Sequence, residues 1–356
     1  MNNKDTFDDL LSSVREKVGE KEGYSKLLNH GPIEVNCFSI CFWADFTGEH
    51  GKKGVYVKIP KFILYNKQNQ GIMPVSGDDI KLAEDEYHSL DYLSRYWNNV
   101  NTQVRFVKPL AFIRKFNVIV TERIYAEHFF KLFRKYDIQR KLLISKADPI
   151  SVSMTKLGKA LSRFHNKSSE DTIFRTENTL CKIDKYLVEL KGYGVDPKYL
   201  DKVAIQFKAC EGFTSPTKTA INLKGFDIRQ VFIDDSDSLY LLDPGKMKDG
   251  YREVDIARFI VTCRILYWGS MAILLHFTPN SFYEKCFLDG YYGTNSKSER
   301  ALSILIVKEL FKHWRMACFS LEKKPWPRVC KLLLQRAYMD PFYKRQIRLE
   351  LSKWGD

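Results

Sequence analysis

The chain has 356 residues, of which 44% are hydrophobic and 28% are charged. This balance excludes a mainly disordered protein, and the length suits one large two-lobed domain or two ordinary ones. The excess of 57 Lys and Arg over 43 Asp and Glu gives a formal net charge of +14, which favours anionic partners such as nucleic acid, acidic lipid or phosphorylated ligands.

Targeting and redox signals are weak. The first residues, MNNKDTFDDLLSS, are polar and acidic, which is atypical of a signal peptide. The longest apolar stretch, residues 259–277, is interrupted by Arg264 and Gly269-Ser270, so it predicts a buried helix rather than a membrane span. Eight cysteines without a C-x-x-C pair or a zinc-like cluster predict reduced thiols. We therefore expect a cytoplasmic protein.

The first third of the chain is rich in strand signals. Apolar residues at helical spacing predict an amphipathic helical extension over residues 1–30. The elements predicted after it are strands over 34–46 and 54–60 joined by a turn at 47–54, a loop at 71–79, a helix over 79–97, and strands over 104–111 and 117–123.

From residue 124 onward the pattern is mainly helical. A helix over 153–165 presents one apolar face, a short β-region returns at 220–243, and helices dominate from residue 254. This order predicts an α+β fold with two lobes. Its parts are a helical extension (1–30), a β-rich N-terminal lobe (31–125) and a mainly helical C-terminal lobe (126–356) that carries a hairpin at 220–245.

A lysine lies near the end of one predicted strand, in a chemically useful position. In Val55-Tyr56-Val57-Lys58, alternation puts Tyr56 and Lys58 on one face of the strand. An ammonium fixed on a strand can hold phosphate oxygens, although many edge strands also end in lysine. Glu86 in the following helix precedes leucines that pack inward. This carboxylate can either pair with Lys58 and fix its rotamer or remain solvated.

Two further segments can contribute to a nucleotide site. Backbone groups of Glu122, Arg123 and Ile124 follow a strand and can bind an adenine edge, or this region is simply a hairpin. Asp243 precedes Pro-Gly at the end of a strand, which suits a Mg²⁺ ligand that also contacts phosphates. The acidic run 234–237 lacks the Gly and the distal Glu of a calcium loop, so it predicts an ordinary hairpin turn.

The joint order of these motifs resembles a known family. In chain order stand V-Y-V-K, Glu86, V-K-P-L before V-I-V-T-E-R, L-G-K-A-L-S-R-F-H, V-F-I-D, L-L-D-P-G, D-I-A-R-F and F-L-D-G-Y. Over roughly residues 25–295 the chain is similar to the aminoglycoside phosphotransferase and choline-kinase group of small-molecule kinases, which share the protein-kinase-like fold. The resemblance implies that residues 31–125 form a nucleotide lobe and that ATP and Mg²⁺ are cofactors.

The same resemblance assigns residue roles. Lys58 becomes the phosphate-binding lysine, Glu86 its helix partner and Asp243 the Mg²⁺ ligand. Asp255 becomes the acid of the D-x-A element, and His165 matches a histidine of the L-x-x-L-H helix that we interpret as structural.

The catalytic loop departs from the family pattern H-G-D-x-x-x-x-N. Anchoring on the strand at 231–233 aligns Leu223 with the His, Gly225 with the catalytic Asp and Gln230 with the metal-binding Asn. Glycine cannot accept a proton, whereas the Gln230 carbonyl can still reach a metal ion. The nearest carboxylate is Asp227.

Two explanations of this loop compete. Either Asp227 has taken over the role of base in a differently shaped loop, assisted by Lys224 and Arg229, or the chain has lost phosphotransfer.

The C-terminal region is basic. Residues 308–353 hold twelve Lys or Arg and four acids, with interleaved aromatic side chains such as Phe311, Trp314, Trp326 and Tyr343. This composition predicts contact with an anionic membrane or glycolipid, or else a helical cap with a solvated basic face. Nucleic acid is a less favoured partner because no RNP, zinc or helix-turn-helix signature is present.

Together these features predict a phosphotransferase that uses ATP and Mg²⁺. The enzyme would move the γ-phosphoryl group to a hydroxyl of a small molecule, a sugar, or a glycan or glycolipid intermediate. The alternative is a pseudokinase, which is a binding or regulatory module with the same fold and no phosphotransfer. In either case we expect a cytoplasmic protein that can lie peripherally at a membrane.

Overall fold

The computed structural model describes residues 3–22, 24–36, 39–49, 51–61, 73, 77–100, 103–143, 149–267, 281–293 and 299–354. The chain divides into two compact units. Unit 1 comprises residues 1–131, 223–226 and 230–247, and unit 2 comprises residues 132–222, 227–229 and 248–356. The hairpin that follows residue 230 therefore groups with the N-terminal strands.

The elements follow in chain order. The first are α1 (Asn3–Glu22), β1 (Tyr24–His30), β2 (Glu34–Val35), β3 (Ser39–Gly48), β4 (Gly51–Pro60), α2 (Gly77–Val100), β5 (Val104–Phe106), β6 (Pro109–Ile113), β7 (Val118–Glu122) and β8 (Glu127–His128). Next come α3 (Phe129–Leu143), α4 (Pro149–Lys167), β9 (Glu170–Arg175), α5 (Glu177–Gly192), α6 (Pro197–Lys208), β10 (Thr214–Leu223), β11 (Val231–Ile233), β12 (Leu239–Leu241) and β13 (Met247–Tyr251). The last are α7 (Glu253–Arg264), α8 (Ser281–Tyr292), α9 (Glu299–Glu322), α10 (Arg328–Leu334) and α11 (Asp340–Leu351).

An antiparallel sheet with the order β1-β3-β4-β7-β6, and with β2 on β3, forms the body of unit 1. Helix α1 covers one face of this sheet, where Leu10 and Val14 share a core with Val55 and Val57 of β4. Because side chains alternate along a strand, Lys58 lies on the opposite face of β4. The sequence prediction for this strand is confirmed.

Three predicted boundaries in unit 1 are wrong. The helix expected through residue 30 ends at Glu22, and Tyr24–His30 pairs with β3 as a strand. The turn expected at 47–54 is mostly strand, since the register of β3 and β4 runs to the pair Gly48↔Gly51. The strand expected over 104–111 is split into β5 and β6. In each case strand pairing decides the outcome, and local propensity does not report that pairing.

A second sheet in unit 1 has the order β5-β12-β11-β8. Strands β11 and β12 form the predicted antiparallel hairpin, and β12 pairs in parallel with β5. The turn of the hairpin is closed by Asp234, whose Oδ1 accepts hydrogen bonds from the amides of Ser236 and Ser238 at 2.9 Å each. The predicted hairpin turn at 234–237 is confirmed.

Unit 2 is mainly helical and also holds a small sheet with the order β13-β10-β9 that the sequence analysis did not foresee. Helices α4 and α8 pack closely at glycines, because a Cβ on Gly158 would lie 2.1 Å from the Phe287 carbonyl oxygen. The predicted apolar helix begins as α7, and residues 268–277 of that stretch lie outside the described residues.

Arg264 ends α7 as a buried cation. Its guanidinium makes two bonds to Glu284, of 2.7 and 2.8 Å, and one bond of 2.7 Å to Glu350. The arginine that interrupts the apolar run therefore joins α7 to α8 and to α11. A buried charge of this kind needs such partners to offset its desolvation.

The basic C-terminal region is not one continuous surface. Phe311, Trp314 and Tyr343 are buried, so the expectation of exposed aromatic side chains is wrong for these three. Lys308 and Lys312 bond to the buried Glu309 at 2.8 and 2.9 Å. Lys308 is therefore part of the interior of unit 2, whereas most of the other cations of this region are exposed.

The predicted fold class is confirmed. A strand-rich N-terminal part and a mainly helical C-terminal part form an α+β protein. Among the helices that the structure describes, none has both the length and the apolar character required to cross a bilayer.

Candidate nucleotide and metal site

Three charged side chains from distant parts of the sequence meet in unit 1. The ammonium of Lys58 lies 2.5 Å from Glu86 Oε1 and 2.8 Å from Asp243 Oδ2. Lys58 comes from β4, Glu86 from α2 and Asp243 from the segment that follows β12. The pairing of Lys58 with Glu86 considered from the sequence is present, and Asp243 joins the same cluster.

Helix α2 and strand β12 are tied together through β5, and this connection positions two of the three groups. The indole nitrogen of Trp97 donates to the Val104 carbonyl at 2.8 Å. The Asn98 side chain donates to the Phe106 carbonyl at 2.9 Å and accepts from the Phe106 amide at 2.8 Å. Since β5 is paired in parallel with β12, Glu86 and Asp243 belong to one hydrogen-bonded assembly.

The turn after β12 orients the Asp243 carboxylate. Gly245 has a φ of +59°, which favours glycine, and its amide donates to Asp243 Oδ1 at 2.9 Å. Lys246 then pairs with Asp85 of α2 at 2.9 Å. Lys246 and Asp85 were not predicted from the sequence, although Lys246 directly follows the D-P-G turn.

The cluster contains two carboxylates and one ammonium. Burial opposes the charged form of Lys58, but Asp243 and Glu86 outweigh it and raise the pKa of the ammonium above its usual range. Burial and the neighbouring Asp243 raise the pKa of Glu86 to about 7. Burial also acts against ionised Asp243, but Lys58 and the Gly245 amide hold the pKa of Asp243 below its ordinary value. With both acids ionised, one negative charge remains unmatched.

Gly225 explains the unusual loop in steric terms. A Cβ at this position would lie 2.0 Å from the Asp243 carbonyl oxygen, and the Gly225 amide donates to the Pro244 carbonyl at 2.8 Å. The backbone of the D-P-G turn therefore occupies the space that any side chain would need. An aspartate at position 225 does not fit this loop.

Gln230 lies at the end of a short 3₁₀ turn, Ile228–Gln230. Its backbone carbonyl accepts a hydrogen bond from the Leu242 amide at 3.1 Å, which ties it to the residue before Asp243. Over the parts of the chain that the structure describes, no three His, Cys, Asp or Glu side chains gather as a ready-made metal centre.

Asp227 belongs to unit 2 and is engaged by Arg229. The guanidinium of Arg229 contacts both carboxylate oxygens, with Nε at 2.9 Å from Oδ1 and 3.0 Å from Oδ2, and the Arg229 amide also donates to Oδ1 at 2.8 Å. This bidentate pairing occupies both carboxylate oxygens, so Asp227 can contact an acceptor hydroxyl only after the pair separates. Lys224 belongs to unit 1, where its amide donates to the Lys246 carbonyl at 3.2 Å.

The proposed adenine-binding segment is already partly used by the fold. The Glu122 amide donates to the Lys108 carbonyl at 2.9 Å, and the Arg123 amide donates to the Gly54 carbonyl at 3.0 Å. The Arg123 side chain pairs with Asp45 at 2.8 Å. Ile124, the third predicted residue, comes after these hydrogen-bonded positions and lies outside any strand.

His165 and Asp255 are both fully buried in unit 2. The His165 ring contacts Tyr291 Oη at 2.7 Å and Asp255 Oδ2 at 3.3 Å, and Arg258 donates to Asp255 Oδ1 at 3.0 Å. This internal network agrees with a structural role for His165.

Solved structures share the fold. The chain is similar to choline kinase LicA from Streptococcus pneumoniae (TM-score 0.53, 13% identity, covering 97% of this chain and 99% of that chain). It is also similar to macrolide 2'-phosphotransferase MphH from Brachybacterium faecium (0.51, 11%, 87% and 92%). A third is spectinomycin phosphotransferase APH(9)-Ia in complex with ADP and spectinomycin (0.51, 12%, 94% and 98%).

No protein-family model and no curated protein sequence matches the chain. The likeness to solved structures spans nearly the whole chain at low identity. The chain therefore has the protein-kinase-like fold of these small-molecule kinases and phosphotransferases, as its sequence motifs implied.

Proposed function

We propose that this chain is a phosphotransferase that uses ATP and a divalent metal ion to phosphorylate a hydroxyl group of a small molecule. The acceptor that we propose is a sugar or another small molecule, or else a glycan or glycolipid intermediate. One observation carries the proposal. The Lys58 ammonium lies within 2.8 Å of carboxylate oxygens of both Glu86 and Asp243, although the three residues come from separate parts of the sequence. The shared fold with phosphotransferases supports the reaction class.

Lys58 would hold phosphate oxygens. An ammonium has three N–H donors, of which Glu86 and Asp243 use two, so one donor is left for a phosphate oxygen. Glu86 is largely buried and would fix the lysine rotamer, acting as a positioning residue. Ile124, together with the backbone of Glu122 and Arg123, would contact the adenine edge.

Asp243 fits the requirements of a metal ligand. Mg²⁺ is commonly held by one or two carboxylates together with substrate phosphates, so a group of three protein ligands is not needed. Asp243 is partly exposed, its carboxylate is oriented by the Gly245 amide, and the cluster has one more carboxylate than ammonium groups. Gln230 would supply a second oxygen. The metal ion would neutralise charge on the transferred phosphoryl group when bound.

Asp227 would position or deprotonate the acceptor hydroxyl, which requires its release from Arg229. General-base catalysis contributes about 10²–10⁴-fold, so an enzyme with a restrained base would be slow rather than inactive. The competing function is a pseudokinase. It is favoured by the filled space at Gly225 and by the bidentate pairing of Asp227.

A thermal-shift titration with ATP and Mg²⁺ tests nucleotide binding first. A ligand at about 100 times its Kd stabilises the folded state by about 2.7 kcal/mol, which is a readily measured rise in Tm. No rise in Tm would contradict both the enzyme and the nucleotide-binding pseudokinase.

ATP hydrolysis without an acceptor then separates the two functions. We expect slow, Mg²⁺-dependent phosphate release by the wild type and a fall of about 10²-fold or more in Asp227→Asn. Asp235→Asn, a change at an exposed acid of the hairpin turn, is the matched control. Binding without hydrolysis, and without transfer to any of a panel of hydroxyl acceptors, would favour the pseudokinase.

A further inference from the structure

The segment of residues 322–333, which joins α9 to the first turns of α10, is unusually exposed. Every residue in it except Lys331 is exposed, and α10 contributes no buried residue. Most surface helices bury one apolar stripe against the protein. This segment instead presents its apolar side chains to solvent.

Large apolar groups are part of that exposed surface. The exposed fractions are 67% for Val329, 62% for Leu333 and 48% for Trp326. Leu332 is exposed as well, so aliphatic groups and an indole lie close together in the sequence of one short segment. A grouped set of this kind is typical of an interaction surface, whereas single exposed apolar residues are ordinary.

The same segment is strongly cationic. Lys323, Lys324, Arg328 and Lys331 lie within nine residues, and no Asp or Glu occurs between Lys323 and Met339. The Lys331 ammonium donates to the Glu322 backbone carbonyl at 2.7 Å, and because this carbonyl is uncharged, the bond does not cancel the positive charge. The surface therefore combines desolvatable side chains with a local excess of positive charge.

This combination selects among the partners that fit. Two copies of the segment facing each other would bring their cations together, which disfavours a symmetric dimer. Nucleic acid would satisfy the cations but would leave Val329, Leu332 and Leu333 in contact with water and phosphate. An anionic bilayer satisfies both, because lipid headgroups match the cations while aliphatic side chains and Trp enter the interface.

We propose that residues 323–333 dock this protein onto the surface of an anionic lipid bilayer. The proposal narrows the predicted membrane contact from the whole basic C-terminal region to one exposed segment. It does not depend on the proposed phosphotransfer reaction.

Vesicle co-sedimentation of the full chain tests the proposal. The probes are vesicles of phosphatidylcholine alone and of equimolar phosphatidylcholine and phosphatidylglycerol. We expect binding to the anionic vesicles only, and weaker binding at about 1 M salt than at about 0.1 M, because salt screens the attraction. Failure of the wild type to bind the anionic vesicles would overturn the proposal.

A matched pair of double variants separates a local surface from general charge attraction. Val329→Glu with Leu333→Glu should lower vesicle binding by about tenfold or more, since each change removes apolar area and adds a negative charge. Val188→Glu with Ile205→Glu changes the net charge equally at side chains exposed by 70% and 69% elsewhere in unit 2, and should alter binding by less than about twofold. Equal losses in both double variants would contradict a local docking surface.

Two further readouts keep the result interpretable. A polarity-sensitive fluorophore at the exposed Cys330 should report an apolar environment when anionic vesicles are added, whereas the same probe at the exposed Cys181 should not. Tm should be unchanged in both double variants because the altered side chains are exposed. Conversion of a wild-type dimer to a monomer by Val329→Glu with Leu333→Glu, or loss of RNA binding in place of vesicle binding, would assign the surface to those partners instead.

Discussion

The Lys58 cluster of unit 1 and the Asp227–Arg229 pair of unit 2 differ in how cations match their carboxylates. In unit 1, Glu86 and Asp243 share the single ammonium of Lys58. In unit 2, Asp227 has the guanidinium of Arg229 to itself. When Glu86 and Asp243 are both ionised, the first cluster has one more negative than positive charge, which a cation from solution can neutralise, whereas the Asp227–Arg229 pair is neutral. The difference suggests that the first is prepared for a ligand and that the second must open before it can act.

The largest expected effect comes from changing the Lys58 cluster itself. Asp243→Asn removes one carboxylate charge and the proposed metal ligand, so we expect Mg²⁺-dependent phosphate release to fall by about 10²–10³-fold, comparable to the loss of a preorganised electrostatic group. Phosphate release from ATP measures this effect, with Asp235→Asn as the control. An Asp243→Asn variant with wild-type turnover would remove Asp243 from the reaction.

Removing each cation compares the two clusters by stability. Lys58→Met leaves two carboxylates facing each other in a largely buried position and should lower the free energy of unfolding by about 3 kcal/mol. Arg229→Met should cost about 1–2 kcal/mol, because it leaves one largely buried carboxylate, Asp227, rather than two, and the guanidinium that it removes is half exposed. Denaturant unfolding measures both values. Similar losses in the two variants would show that the clusters do not differ as described.

His313, which lies near Asp227 and Arg229, should make the protein less stable in acid. Burial and the nearby Lys312 lower the pKa of His313 to about 4, from an ordinary value near 6.5. Below pH 6.5 His313 then binds a proton in the unfolded chain but not in the folded chain. The free energy of unfolding therefore falls as the pH decreases towards 4. We expect a loss of about 2–3 kcal/mol from this group.

Unfolding free energies at pH 7 and pH 4 measure that loss, and His313→Gln should abolish this part of the pH dependence. The other ionisable groups are common to both proteins, so the difference between them isolates His313. An unchanged pH dependence in His313→Gln would exclude the assignment.

The smallest expected effect concerns the loop that separates this chain from its fold relatives. Gly225→Ala forces a methyl group against the Asp243 carbonyl and should cost about 1–3 kcal/mol. Gly192→Ala, at a helical glycine with open space around it, should be neutral or slightly stabilising. Thermal unfolding of both variants checks the contrast. A Gly225→Asp protein that folds normally would contradict the steric explanation of the loop.

Much of the site in unit 1 could be predicted from the sequence. Lys58 stands on a strand with clear alternation, and Asp243 precedes a Pro-Gly turn, so local patterns carried the information. The space-filling role of Gly225 could not be predicted, because it depends on the backbone of Asp243 and Pro244, distant in sequence. The ion pair between Lys246 and Asp85 escaped notice for the same reason.

Predictions also failed where one pattern fits two structures. Tyr24 and Leu27 suit a helix or a strand, and pairing with β3 selects the strand. In α9 the residues from Ala301 to Phe311 are all buried, so a count of basic and aromatic residues could not tell interior from surface. The exposure of residues 322–333 could not be predicted, because it depends on which side chains the neighbouring helices bury.

The buried Arg264 has a practical consequence for handling the protein. Because Glu350 supplies one of its partners, the final turns of the polypeptide anchor a charge located some ninety positions upstream. A chain that ends before Glu350, whether through a protease or a premature stop codon, would leave that buried guanidinium with Glu284 as its remaining carboxylate partner, so the last turn of α11 should be kept when expression plasmids are designed.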